Sequence, residues 1–125
     1  MPVRVVRAGE LSFGELPGRL SAAPLEGVDT GALTVRFARR EPGPRAPHRH
    51  PSSIELTYVV AGAGTHWQDG ETVRVAPGDL VVVPAGTAHA TIPDEGTTML
   101  LYCVFPVVSL DGNVEELDEP IRLDS

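Results

Sequence analysis

The sequence reads as an all-β protein, a sandwich or barrel of short strands. Three features lead to that reading. Thirteen glycines and twelve prolines are spread so that apolar stretches rarely exceed eight residues. Apolar residues at helical spacing are nearly absent. The runs that remain are short, β-rich and bounded by turn residues, as strands are. A chain of 125 residues suits one domain, and it buries roughly two-thirds of its unfolded surface, enough for a core.

Along the chain, residues 3–7 (Val-Arg-Val-Val-Arg) suit a first strand. Residues 10–25 are broken by Gly14, Pro17, Gly18 and Pro24 and suit an arm, which either covers the barrel or pairs with a second subunit. Residues 33–39 alternate, with Leu33, Val35 and Phe37 on one face and Arg36 on the other. Residues 41–47 hold three prolines and a glycine and form a loop. A strand over 54–61 is expected to turn back through a hairpin at Gly62-Ala63-Gly64. The next, over 65–68, meets Asp69-Gly70, a strong signal for a tight hairpin to 72–75. Leu80-Val81-Val82-Val83 is continuously apolar, which predicts a strand covered on both faces. Strands over 88–92 and 98–105 complete the set. The chain thus divides into a strand and arm over 1–32, a barrel core over 33–108 and an acidic tail over 109–125, the last expected to be solvated or frayed.

Composition narrows the partners. A net charge of -7 argues against nucleic acid and anionic membranes. All ten basic residues are arginine, which excludes lysine Schiff-base chemistry. Cys103 is the one cysteine, so no intrachain disulfide forms, and its apolar setting suits a core residue. No apolar run approaches the ~20 residues that span a bilayer. The first residues lack a signal-peptide pattern, and a cytoplasmic protein is expected.

Chemistry concentrates in Pro47-His48-Arg49-His50-Pro51-Ser52-Ser53-Ile54-Glu55. Side chains at i and i+2 of a strand share a face, so His48 and His50 stand together like a clamp. A proline corner then presents the Glu55 carboxylate. His89, in Pro84-Ala85-Gly86-Thr87-Ala88-His89, is a further candidate. Neutral imidazole with carboxylate suits Fe, Mn, Ni, Cu or Zn.

This spacing resembles the cupin superfamily. Its first motif is matched by Gly43, four residues instead of five, His48-Arg49-His50, four residues, Glu55, six residues and Gly62. Gly78, Pro84, Gly86 and His89 match the second, with Pro93 where the family has asparagine. The resemblance covers about residues 43–93. It implies a double-stranded β-helix, the jelly-roll cupin barrel. It also implies that His48, His50, Glu55 and His89 hold one divalent ion, Fe2+, Zn2+, Mn2+ or Ni2+. The plain alternative keeps these histidines as polar cavity lining.

Thr57 and Val59 share the parity of Glu55 and are expected to line the cavity. Trp67 either walls it or faces outward at a subunit interface. Arg36 is either a carboxylate-binding group in the barrel or, by default, a surface arginine. By alternation only one of His66 and Trp67 faces inward, and an outward His66 is the commoner arrangement. Three His and one Glu around an octahedral ion would leave two positions for substrate, or substrate and dioxygen. The expected function is a metal-dependent enzyme acting on a small organic molecule, either a dioxygenase or an isomerase, cyclase or lyase. The alternative is a non-catalytic metabolite-binding or sensing cupin, and no DNA-reading segment accompanies the barrel. A homodimer is expected from the resemblance and from the exposed edges of so short a barrel.

Overall fold

A computed structural model describes residues 3–43, 45–119 and 121. Eleven strands follow one short 3-10 turn at Ala8–Glu10: β1 Gly14–Leu16, β2 Arg19–Ala22, β3 Thr34–Arg40, β4 His48–Arg49, β5 Glu55–Ala61, β6 Gly64–Gln68, β7 Glu71–Val75, β8 Leu80–Val83, β9 His89–Pro93, β10 Met99–Phe105 and β11 Glu115–Glu116. They form two antiparallel sheets, ordered β1-β2-β3-β10-β5-β8 and β11-β4-β9-β6-β7. This is the jelly-roll architecture expected of the sequence. No helix among the described residues is long and apolar enough to cross a membrane.

The core is read most directly from β10, where Met99, Leu101, Cys103 and Phe105 are buried and the residues between them are not. Val59, Val75 and Ala38 pack against this row. Burying a side chain of this kind contributes about 1.5–3 kcal/mol.

The β6–β7 hairpin turns at Asp69-Gly70, both in the left-handed region with φ of 46° and 88°. Two consecutive positive φ values match the strand twist of a tight hairpin. The Gly62-Ala63 connection is a different device. β5 and β6 lie in different sheets, so the chain crosses between layers instead of turning back as a hairpin. A Cβ on Gly62 would lie 2.4 Å from the Thr98 carbonyl oxygen, and one on Gly64 would lie 2.3 Å from that of Ile92. Only glycine lets the backbones approach so closely.

Several expectations are corrected. Residues 3–7 form no strand, and their valines stand exposed. The arm over 10–25 supplies β1 and β2, which extend the first sheet beyond β3. On β3 the cavity side takes Arg36, Ala38 and Arg40. Val35 and Phe37 lie on the opposite face, where Val35 shares a groove with Leu25 and Val28 and Phe37 packs on Tyr102. β8 is not covered on both faces: Leu80 and Val82 are exposed while Val83 is buried. It is an edge strand, and nothing described in the chain packs over its outer side. Within the acidic tail, Glu115–Glu116 are not frayed but paired, β11 on β4 with Glu115 opposite Arg49 and Glu116 opposite His48, while their side chains stay solvated as expected.

Candidate metal centre

Short segments deliver the four candidate ligands. β4 carries His48, with His50 just beyond it, while Glu55 opens β5 and His89 opens β9. His48 lies directly across the ladder from His89. All four side chains are buried. One ligand atom from each lies within 4.8 Å of the others. The His48 ring centroid is 5.0 Å from that of His50 and 4.5 Å from that of His89.

The protons decide what this cluster can do. His50 Nδ1 lies 2.8 Å from the Asn113 carbonyl oxygen, and His89 Nδ1 lies 2.9 Å from that of Thr87. A carbonyl only accepts, so each Nδ1 carries a proton, and in a neutral ring Nε2 is a bare lone pair. Those two Nε2 atoms lie 2.8 Å and 3.0 Å from the same Glu55 Oε1. His50 Nε2 has no hydrogen-bond partner among the described residues.

Without a cation, an imidazole–Glu55 contact of this length needs a proton between nitrogen and oxygen, and a bound ion would take that proton's place. Burial alone would favour a neutral Glu55, but the imidazoles of His50 and His89 outweigh it and hold the carboxyl well below its ordinary range. Burial first, then His89, Arg40 and Arg19, push His48 far below the usual histidine range and leave it neutral. Buried acceptors aimed at one another are costly without a cation between them. Three imidazoles and a carboxylate suit a divalent transition ion, and this cluster fits one.

Supporting groups fix the ligands. Thr57 Oγ1 donates to Glu55 Oε2, leaving Oε1 for the imidazoles. Asn113 is 3% exposed. Besides receiving the His50 proton, it accepts from the Ser52 N–H at 2.7 Å and donates to Ser53 Oγ at 2.8 Å. Phe105 stands edge-on to His50 at 4.7 Å.

The cluster opens on a cavity of about 420 Å3. Arg36 lines it. Thr57 faces the interior but serves Glu55, and Val59 lies deeper, in the apolar core. The expected order of His66 and Trp67 is reversed. His66 is buried, with Nδ1 3.2 Å from Thr91 Oγ1 and Nε2 2.9 Å from Gln68 Oε1. Those polar partners on β6 and β9 make the interior acceptable to an imidazole. Trp67 therefore points away from the cavity, into a surface depression with Pro47, Ala88 and Leu117.

Two residues escaped the sequence reading. Asn113 was hidden among acidic neighbours. Arg40 is buried on the cavity side of β3. The signal for it was parity, since any strand that turns Arg36 inward turns Arg40 inward too.

Comparison with known proteins gives these likenesses. The family model described as Cupin domain matches residues 36–105. Quercetin 2,3-dioxygenase of Bacillus subtilis (strain 168) is 34% identical over 59 residues, which is 47% of this chain and 18% of that protein. The chain thus matches under a fifth of that relative's length. The polyketide cyclase RemF of Streptomyces resistomycificus superposes with a TM-score of 0.73 at 21% identity, covering 95% of this chain and 87% of that one. Streptomyces Pac13, a nucleoside dehydratase, superposes with a TM-score of 0.72 at 18% identity, covering 93% and 92%. At such identities the solved structures speak for the fold.

Proposed function

This chain belongs to the cupin domain family, and on that footing we propose that it is a metal-dependent enzyme acting on a small organic substrate. His48, His50, Glu55 and His89 would hold one divalent ion. The observation that carries this reading is the pair of imidazoles whose Nδ1 protons are given to backbone carbonyls while both Nε2 atoms face one carboxylate oxygen. When bound, Fe2+ would supply a centre for dioxygenation, and Zn2+, Mn2+ or Ni2+ would supply Lewis-acid polarisation for isomerisation, cyclisation or elimination.

The chain's own residues prepare the site. The carbonyls of Asn113 and Thr87 keep both Nε2 atoms turned inward. Thr57 steers the free oxygen of Glu55 toward the imidazoles. Apolar walls at Phe105, Leu110 and Val114 limit water beside the ligands.

Elemental analysis of the protein as isolated tests the reading. One equivalent of ion is expected. Iron would favour the oxygenase branch; zinc, manganese or nickel would favour the other. No ion on isolation and no stoichiometric uptake afterwards would overturn it. Full occupancy with no spectral or thermal response to any candidate small molecule would count against catalysis.

A homodimer is part of the proposal. Leu80 and Val82 of β8 lie beside Tyr58 and Val60 of β5 on the outer side of the sheet, and all four are exposed. Apolar patches of this kind mark interaction surfaces. Light scattering is expected to give twice the chain mass at micromolar concentration, and a monomer there would refute it.

A further inference from the structure

Arg40 ends β3 and is 4% exposed. It lines the cavity that also holds His48, His50 and Glu55. Its Nε has no hydrogen-bond partner among the described residues. The other arginines around it each have a guanidinium nitrogen bonded to an acceptor, although Arg45 Nε also lacks a partner among the described residues. Arg19 pairs with Glu116 at 3.2 Å, the Arg45 guanidinium donates to the Gly18 and Glu41 carbonyls, and Arg36 donates to the Val35 carbonyl. Ion pairs among the described residues leave Arg40 out. Burial, then Arg19, lowers its pKa to about 10, so it stays charged at neutral pH.

A buried guanidinium without a carboxylate is an expensive arrangement. In the protein without metal, Glu55 supplies a compensating charge nearby. A divalent ion would more than neutralise Glu55 and leave surplus positive charge in the cavity. Other acidic groups do not cancel it: Glu116 is taken by Arg19, and Glu15 and Asp111 lie exposed at the rim, where water screens them. Leu16, Phe105, Leu110 and Val114 make the remaining wall apolar.

We propose that Arg40 is a specificity-determining residue that receives an organic anion, a carboxylate or phosphate borne on an apolar body, in the cavity beside the metal ligands. The planar fork of a guanidinium matches both head groups. This rests on the metal reading above and adds the class of ligand to it.

The test uses the whole chain loaded with Co2+, whose visible absorption reports occupancy independently of activity. Calorimetric titrations with benzoate, phenyl phosphate and neutral benzamide follow. At least one anion is expected to bind at least ~10-fold more tightly than benzamide, as a charge-assisted hydrogen bond allows. The tighter anion identifies the head group. Arg40→Met should erase that preference while full Co2+ content is kept, and Arg40→Gln, checked by thermal melting, serves if the methionine variant fails to fold. Full Co2+ uptake with no anion preference, or a preference unchanged in the variants, would overturn this proposal alone. No Co2+ uptake by the unaltered chain would overturn the metal reading and this inference with it.

Discussion

The two ends of β5 differ more than their closeness suggests. Glu55 begins the strand among imidazoles, Thr57 comes next on the same face, and Val59 follows in hydrocarbon. β10 runs alongside with the matching gradient, Cys103 opposite Thr57 and Leu101 opposite Val59. Four residues of strand, about 13 Å, separate a carboxylate from the driest part of the core. Cys103 marks the boundary, its thiol raised well above the ordinary range by burial first and then by Glu55, so it serves there as a small apolar group. The lesson is a division of labour along one strand: the first end carries acceptors that favour a cation, and the second carries the packing that keeps them there.

If that division holds, each end should fail in its own way. The largest effect is expected from His89→Ala or His50→Ala, which should abolish stoichiometric metal by elemental analysis while the metal-free protein melts near the parent. Near-normal metal in both variants would erase the distinction. Leu101→Ala should act oppositely, costing about 2–5 kcal/mol in urea unfolding with metal content per folded molecule unchanged. Asn113→Ala should fall between them, weakening metal about 10- to 100-fold in chelator competition, because the amide side chain that anchors this segment is lost although a backbone carbonyl remains.

The most gradual effect should be graded by acid. His48 and His66 are both held below the ordinary histidine range, chiefly by burial. Below about pH 6.5 the unfolded chain therefore binds protons that the native chain refuses, and stability falls as pH falls. For the metal-free protein the slope should approach about 1.4 kcal/mol per pH unit for each such histidine. Glu55, also depressed, adds to the loss only below its ordinary value of about 4.5. Urea unfolding between pH 7 and pH 5 measures this, and His66→Gln should flatten the slope. A flat profile in the parent would mean that these rings accept protons in the folded state. Metal affinity should decline over the same range, since protons compete for the ligand nitrogens.

The ligand cluster was legible because its two motifs resemble the cupin pattern. Parity by itself pairs only His48 with His50, and it was the resemblance that added Glu55 and His89 to one set. What stayed hidden was which face of a strand looks inward. Alternation on β3 separates Val35 and Phe37 from Arg36, Ala38 and Arg40, and hydrophobicity then suggests the wrong interior, because a cavity accepts charge that a packed core refuses. The same reversal occurs at His66 and Trp67, where polar partners on a neighbouring strand decided the matter. The exposure of Leu80 and Val82 depends on sheet order, which no local window contains. Asn113 depends on a contact made 63 residues away, by a carbonyl that every residue possesses.

That last contact has a bearing on how the protein is made. Every candidate ligand leaves the ribosome before Asn113 does, and β11 cannot close on β4 until still later. A nascent chain would hold all four donors while the His50 ring was still free to turn either nitrogen outward. Choice among competing ions would then fall to the finished molecule, after translation has passed the acidic strand, and a chain cut short near residue 110 should load metal indiscriminately or not at all.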